Sequence, residues 1–154
     1  MLFFLSLLTN ITYADNHLDD SLSQSWFWET SPTIEICPDS NISTNQIIET
    51  LDYWFERGLD VQIREIKKVN HCDLEKRNVI QIMGDRDVRS DEYARTNIKW
   101  YYRGFKNENT VYYIKGSRIQ LPDNILSDKT IVKHEFGHAL GLDHTNDPIM
   151  KSYH

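Results

Sequence analysis

The order of apolar and polar residues divides the first half of the chain into strands and one helix. Residues 33–37 (TIEIC) alternate as a half-buried strand does. Apolar residues then recur at helical spacing after Ser43 and Gln46, which have the spacing of a capping box, and Gly58 is suited to end this helix. Two more runs have strand patterns, over residues 61–69 and 78–83. A helix between strands predicts a partly parallel sheet.

The second half of the chain predicts a hairpin and a second helix. Residues 97–102 and 110–121 are rich in β-branched and aromatic side chains, and residues 107–109 (NEN) between them predict a hairpin turn. Asp128 is a good N-cap for a helix over residues 129–142. We therefore expect one α/β (α+β) domain, with a twisted, mixed but mostly parallel sheet of about five strands and two helices.

The first residues differ from the rest of the sequence. Residues 1–14 (MLFFLSLLTNITYA) are uncharged, contain an apolar block and end in a small residue, as a secretory signal peptide cleaved near Ala14 does. Because no Lys or Arg precedes the apolar block, a short apolar anchor or a wrongly assigned start remains an alternative. Residues 15–25 are polar and predict a loose segment, whereas the aromatic cluster Trp26–Trp28 predicts a part of the core or its lid. The expected domain spans residues 25–154.

Charge and cysteine content narrow the class of protein. The formal net charge of −6 argues against general nucleic-acid binding, which needs a basic surface. Cys37 and Cys72 predict a disulfide if the chain is exported, with two free buried thiols as the alternative. Beyond the first residues, no segment of the sequence is suited to cross a membrane. These features favour a protein that is secreted, extracellular or periplasmic.

The candidate metal ligands and the candidate catalytic base all lie in one segment, residues 134–144 (HEFGHALGLDH). His134 and His138 are four residues apart on the second predicted helix, so both imidazoles can reach one ion. Glu135 can act on a water molecule at that ion without being a ligand. Gly141 can take a positive φ, which ends the helix and lets His144 return as a third ligand. Three nitrogen ligands with an open fourth position are typical of catalytic zinc sites.

HEFGHALGLDH resembles the zinc-binding motif of the metzincin metallopeptidases, and it is most similar to the matrixin branch. Thr145 occupies a position that is usually Ser or Thr in that branch, and residues 147–150 (DPIM) are similar to the Met turn beneath the zinc. The resemblance implies a metzincin-like catalytic domain with an active-site helix and a backing helix. It also implies a zinc endopeptidase with Glu135 as the general base. The zinc ligands would be His134, His138 and His144, and Gly141 and Met150 would support the site.

The resemblance makes further predictions around this site. It implies that an extended peptide or protein substrate adds to an edge strand of the sheet, for which residues 97–102 are our candidate. Asp143 either orients a ligand or is a solvated loop carboxylate. Tyr153 lies one residue beyond the position of a tyrosine that some metzincins place near the zinc. The family's propeptide, structural zinc and calcium sites are not recognisable, so calcium is not evident as a cofactor.

Two other functions fit the same motif. The chain could be a non-catalytic zinc-binding protein of the same fold that binds a protein partner. The presence of Glu135 favours an enzyme over this alternative, because zinc binding alone does not need that carboxylate. A peptidase acting on cell-wall peptide cross-links is a third possibility that the sequence leaves open. We expect a monomer in each case.

Overall fold

The computed structural model describes residues 17–84 and 94–152. The proposed signal peptide (residues 1–14) and Tyr153 lie outside these ranges. The elements, in chain order, are β1 (Trp26–Trp28), β2 (Thr33–Ile36), α1 (Thr44–Glu56), β3 (Glu65–Lys68), β4 (Val79–Met83), β5 (Arg95–Lys106), β6 (Asn109–Gln120) and α2 (Lys129–Leu140). A short 3-10 turn, Asp123–Ile125, precedes α2.

The strands form one mixed, mostly parallel sheet, as the sequence predicts. Its order is β1-β6-β4-β2-β3, with parallel pairing at each step. β5 pairs with β6 and is the antiparallel strand of the sheet. The described residues therefore contain six strands where about five were expected. The additional strand is β1, the aromatic cluster, which pairs with residues 112–114 of β6.

Both helices begin where the sequence predicts. Ser43 caps α1 in a capping box with Gln46, and Asp128 caps α2 by accepting hydrogen bonds from two backbone N–H groups. The two helices contribute to one core with the apolar side chains of β2, β4 and β6. Trp54 of α1 is fully buried, and its Nε1 donates to the carbonyl of Lys133 at 3.0 Å. This bond fastens the backing helix to the helix that carries the motif.

Strand lengths differ from the predictions. The run at 61–69 yields only the four-residue β3, and Val61, ahead of this strand, is buried in the core. The hairpin is longer than predicted, since β5 and β6 are 12 residues each. Asn107 and Glu108 connect them with φ values of +49° and +66°. Positive φ at both positions is typical of a two-residue type I′ turn, which keeps the strands paired to their ends.

The predicted disulfide is confirmed. Cys37 and Cys72 are bonded with their Cα atoms 5.6 Å apart, and both are buried. The bond ties the end of β2 to the loop between β3 and β4. Neither described helix is long and apolar enough to span a bilayer.

The prediction of a loose segment over residues 15–25 is wrong for the described part, which begins at residue 17. Leu22 is buried in the core. The backbone N–H of Asp19 donates to the carbonyl of Arg57, and the N–H of Tyr112 donates to the carbonyl of Ser25. A polar sequence gives no apolar periodicity from which this packing can be predicted.

Candidate metal centre

Helix α2 and the turn after it bring the three histidines together. His134 and His138 lie one helical turn apart, and α2 ends where Gly141 adopts a φ of +108°. A side chain at Gly141 would also place its Cβ 2.1 Å from the carbonyl oxygen of Trp26, so both the backbone angle and the space require glycine. The chain then reverses and carries His144 back to the other two rings. This is the turn that the sequence predicts.

The three imidazoles point one nitrogen each at a common centre. Nε2 of His138 lies 3.1 Å from Nε2 of His134 and 3.0 Å from Nε2 of His144. One ring nitrogen from each of the three histidines lies within 4.8 Å of the other two. Two nitrogens that bind one zinc ion tetrahedrally at ~2.0–2.1 Å lie about 3.3 Å apart. The spacing of the nitrogens therefore fits a single ion.

The protonation of the rings also fits a cation. Nδ1 of His134 lies 2.7 Å from the carbonyl oxygen of Ile149, and Nδ1 of His138 lies 2.9 Å from that of Leu142. A carbonyl oxygen can only accept, so each Nδ1 is the donor, and in the neutral ring Nε2 then presents a lone pair. Burial lowers the pKa of His138 to about 4, which keeps this ring neutral near pH 7. Facing lone pairs repel, and a metal ion removes that repulsion; the cluster could hold one.

Glu135 is buried beside the histidines. Oγ1 of Thr96, on β5, lies 2.6 Å from Oε2 of Glu135 and 2.9 Å from its backbone oxygen. Burial raises the pKa of Glu135, and the hydrogen bond from Thr96 opposes this rise. A carboxylate with a raised pKa is a stronger base, so the site combines a cluster that could hold a metal ion with a group able to accept a proton.

Met150 packs against helix α2 at Gly137, the residue before His138. It is fully buried, and a Cβ on Gly137 would lie 2.5 Å from its Sδ and 3.0 Å from the ring of Trp54. Gly137 therefore lets the Met150 and Trp54 side chains approach α2 closely. The role of Gly137 was not predicted, although a glycine inside a helix costs ~1 kcal/mol relative to alanine and indicates close packing.

Two carboxylates fix the loop that carries His144. Oδ1 of Asp147 accepts hydrogen bonds from the backbone N–H groups of Ile149 and Met150, and Oδ2 accepts from Arg57 at 2.7 Å. Burial raises the pKa of Asp147, but the hydrogen bonds from Arg57 and from these N–H groups outweigh it, so the pKa lies below its ordinary value.

Asp143 is not a purely solvated carboxylate, because it accepts hydrogen bonds from Ser23 and Ser25 of the N-terminal segment.

The other histidines of the described residues lie away from the cluster, and the proposed substrate strand lies next to α2. Within residues 17–84 and 94–152, the three histidines above are the one cluster suited to a metal ion, and His17 and His71 are exposed elsewhere. The proposed substrate strand, residues 97–102, lies within β5. Thr96 was missed because its contact with Glu135 depends on how β5 packs against α2, which a sequence pattern does not specify.

No protein-family model, curated protein or solved structure matches this chain. The function is therefore argued from the geometry of the site itself.

Proposed function

We propose that this protein is a zinc-dependent endopeptidase of the metzincin type. One observation carries the proposal: three imidazoles converge, with Nε2 of His138 3.1 Å from that of His134 and 3.0 Å from that of His144, beside a buried carboxylate of raised pKa. A structural zinc site is closed by four protein ligands, whereas catalytic sites have three and one open position. The described residues supply three, which favours a catalytic centre.

Zinc is the proposed ion because the ligands are three imidazoles. Nitrogen ligands of this kind suit zinc, while calcium and magnesium prefer oxygen. The backbone carbonyls of Ile149 and Leu142 orient two of the rings, as partners of metal-binding histidines commonly do. When bound at such a site, zinc supplies a Lewis acid that makes water more acidic and polarises a carbonyl oxygen.

Glu135 is the proposed general base. Its carboxylate accepts a proton from the water that attacks the peptide carbonyl and passes that proton to the departing amine nitrogen. Burial supports this role because it raises the pKa of the carboxyl group and so improves it as a base. Thr96 holds the carboxylate in one orientation through Oε2. In this proposal the other carboxylate oxygen, Oε1, takes the proton from the water.

The substrate is proposed to bind along β5. Within the described residues, β5 pairs with β6 and with no other strand, so its second edge can accept an extended peptide. Thr96, at the start of β5, contacts Glu135. A peptide added to residues 97–102 would therefore lie beside the candidate base.

The protein is proposed to act outside the cytoplasm. The disulfide between Cys37 and Cys72 supports this, because such bonds persist mainly in oxidising compartments. The apolar sequence of residues 1–14 supports an export signal.

Hydrolysis of a mixed peptide library tests the proposal. The purified protein is supplied with zinc and compared with Glu135→Gln and with a chelated sample. We expect cleavage by the wild type and by neither control. Cleavage that survives in Glu135→Gln would exclude this carboxylate as the base. A wild type that binds one zinc ion and cleaves nothing would instead support a non-catalytic zinc-binding protein that binds a protein partner.

A further inference from the structure

A polar segment near the N-terminus lies against the loop that carries the third histidine. We call residues 19–25 the N-terminal strap and residues 141–147 the metal loop. The two are joined by a β-bridge between Gln24 and Leu142 and by a hydrogen bond from the N–H of Asp143 to the carbonyl of Ser23. The backbone of the strap therefore runs beside the backbone of the metal loop.

Three alternate serines of the strap add side-chain hydrogen bonds to this contact. Oγ of Ser25 lies 2.8 Å from Oδ1 of Asp143, and Oγ of Ser23 lies 3.2 Å from Oδ2 of the same carboxylate. Oγ of Ser21 lies 3.2 Å from Oδ2 of Asp147 and 2.8 Å from Oδ1 of Asp19. The strap thus supplies hydroxyl groups to both carboxylates of the metal loop.

Asp143 lies between two residues that bear directly on the metal centre. The carbonyl of Leu142, immediately before it, accepts the hydrogen bond from Nδ1 of His138. His144, immediately after it, is the exposed member of the cluster. Holding the Asp143 carboxylate on two serines therefore fixes one ring orientation and the position of a second ring.

Asp147 has the same relation to His134. Its Oδ1 accepts from the N–H of Ile149, and the carbonyl of Ile149 accepts from Nδ1 of His134. Arg57, at the end of α1, donates to Asp147, Asp19 and Ser21. The strap thus reaches His138 and His144 through Asp143 and its neighbours, and it reaches His134 through Asp147 and Ile149.

We propose that Ser21, Ser23 and Ser25 are positioning residues for metal binding, acting through Asp143 and Asp147 rather than touching the ion. The inference rests on the proposed metal centre and goes beyond it, because it assigns part of the metal affinity to a segment over a hundred residues away in sequence. Outer partners of metal ligands typically change metal affinity by about 10–100-fold when they are removed. Ser23 and Ser25 share one carboxylate, so their effects are expected to be non-additive.

Zinc affinity, measured by competition with a chromogenic chelator, tests this inference in the folded protein. We compare wild type with Ser21→Ala, Ser23→Ala, Ser25→Ala and the double variant of Ser23 and Ser25. Ser31→Ala is the matched control, because Ser31 follows the same segment and its hydroxyl has no hydrogen-bond partner among the described residues. Ser23→Thr combined with Ser25→Thr keeps both hydroxyl groups and is the rescue variant.

We expect the double alanine variant to bind zinc about tenfold or more weakly, with wild-type affinity in Ser31→Ala and recovery in the threonine variant. The single variants of Ser23 and Ser25, each of which keeps one hydroxyl on Asp143, give an intermediate loss and remain informative if the double variant folds poorly. The visible spectrum of the Co²⁺-loaded protein gives a second measure, because it reports ligand geometry and not global stability.

The outcomes separate the two proposals. If wild type binds zinc and the folded serine variants bind it equally well, the strap is merely structural and the inference is wrong. If wild type itself binds no zinc, the metal centre and the inference that rests on it both fail.

Discussion

Two buried glutamates lie on opposite faces of the sheet and have different surroundings. Glu35, on β2, is 1% exposed and forms an ion pair with Lys76 and a hydrogen bond with Gln81. Glu135, on α2, is 7% exposed, and Thr96 is the hydrogen-bond partner of its side chain among the described residues. Neighbouring Ile34 and Ile36 point to the helices, so Glu35 points away from them.

The difference concerns what each buried charge is paired with. A buried carboxylate is costly unless a cation or several donors compensate it. Lys76 provides that compensation for Glu35, which is then a structural group that fastens the loop after β3. Glu135 has a hydroxyl in place of a cation, and burial raises its pKa. Its surroundings favour proton transfer beside the histidine cluster over a purely structural role.

The largest expected effect is a loss of peptidase activity on substitution of Glu135 but not of Glu35. Glu135→Gln keeps the volume of the side chain and removes the base, so we expect kcat/KM to fall by about 10²–10⁴-fold. Glu35→Gln is the matched control and should retain most of its activity while it is folded. The measurement is hydrolysis of a peptide identified from the library, with zinc content checked in parallel. Equal losses in the two variants would contradict the distinction.

The next largest effect is the loss of stability on removal of the disulfide, which holds the loop between β3 and β4 near Glu35. The disulfide joins Cys72, four residues before Lys76, to the end of β2. Replacing both cysteines by alanine should lower the free energy of unfolding by about 2–4 kcal/mol, with zinc affinity unchanged in the folded protein. Urea unfolding of the metal-free proteins measures the first quantity. An unchanged midpoint would show that this loop does not need the crosslink.

The ion pair itself should have a smaller effect on stability. Glu35→Gln removes the partner of Lys76, whose side chain is 44% exposed and can regain water. We expect the free energy of unfolding to fall by about 1–3 kcal/mol, measured with chelator present so that metal binding does not contribute. Lys76→Met removes the ammonium that pairs with Glu35 and keeps a side chain of similar length. It should lower the free energy of unfolding by at least as much, because it leaves Glu35 buried without a cation. An unchanged free energy of unfolding in both variants would contradict the ion pair as the compensation of Glu35.

The smallest effect is a pH dependence on the helix side. A backbone hydrogen bond from Ser21 and the guanidinium of Arg57 lower the pKa of Asp19 from 3.8 to about 2, and the pKa of Asp147 also lies below its ordinary value. Because these groups bind protons more weakly when folded, their stabilisation is present above pH 3.8 and is lost as the pH falls towards 2. Arg57→Gln should therefore weaken the acid dependence of unfolding in the metal-free protein. Parallel curves would contradict this assignment.

Local chemistry explains which features the sequence could predict. The capping box of Ser43, the N-cap of Asp128 and the positive φ of Gly141 depend on residues a few positions apart, and all three are present. The hairpin turn at 107–108 is local in the same way. The spacing of His134, His138 and His144 likewise follows from one helix and one turn.

Contacts between distant segments could not be predicted in this way. Thr96 meets Glu135 only because β5 packs beside α2, and Lys76 meets Glu35 only because a loop folds over the sheet. The serines of the strap lie more than a hundred residues before the carboxylates that they bind. Such polar contacts carry no periodicity, so residues 15–25 had the pattern of a loose segment.

Zinc stoichiometry tests the central claim most directly. Native mass spectrometry of the metal-loaded protein compares the wild type with His138→Ala, which removes the ring between the other two, and with the exposed His71→Ala as control. The account predicts one zinc ion in the wild type and in His71→Ala, and none at matched concentration in His138→Ala. A wild type without zinc, or a His138→Ala protein that retains it, would contradict a metal centre built from His134, His138 and His144.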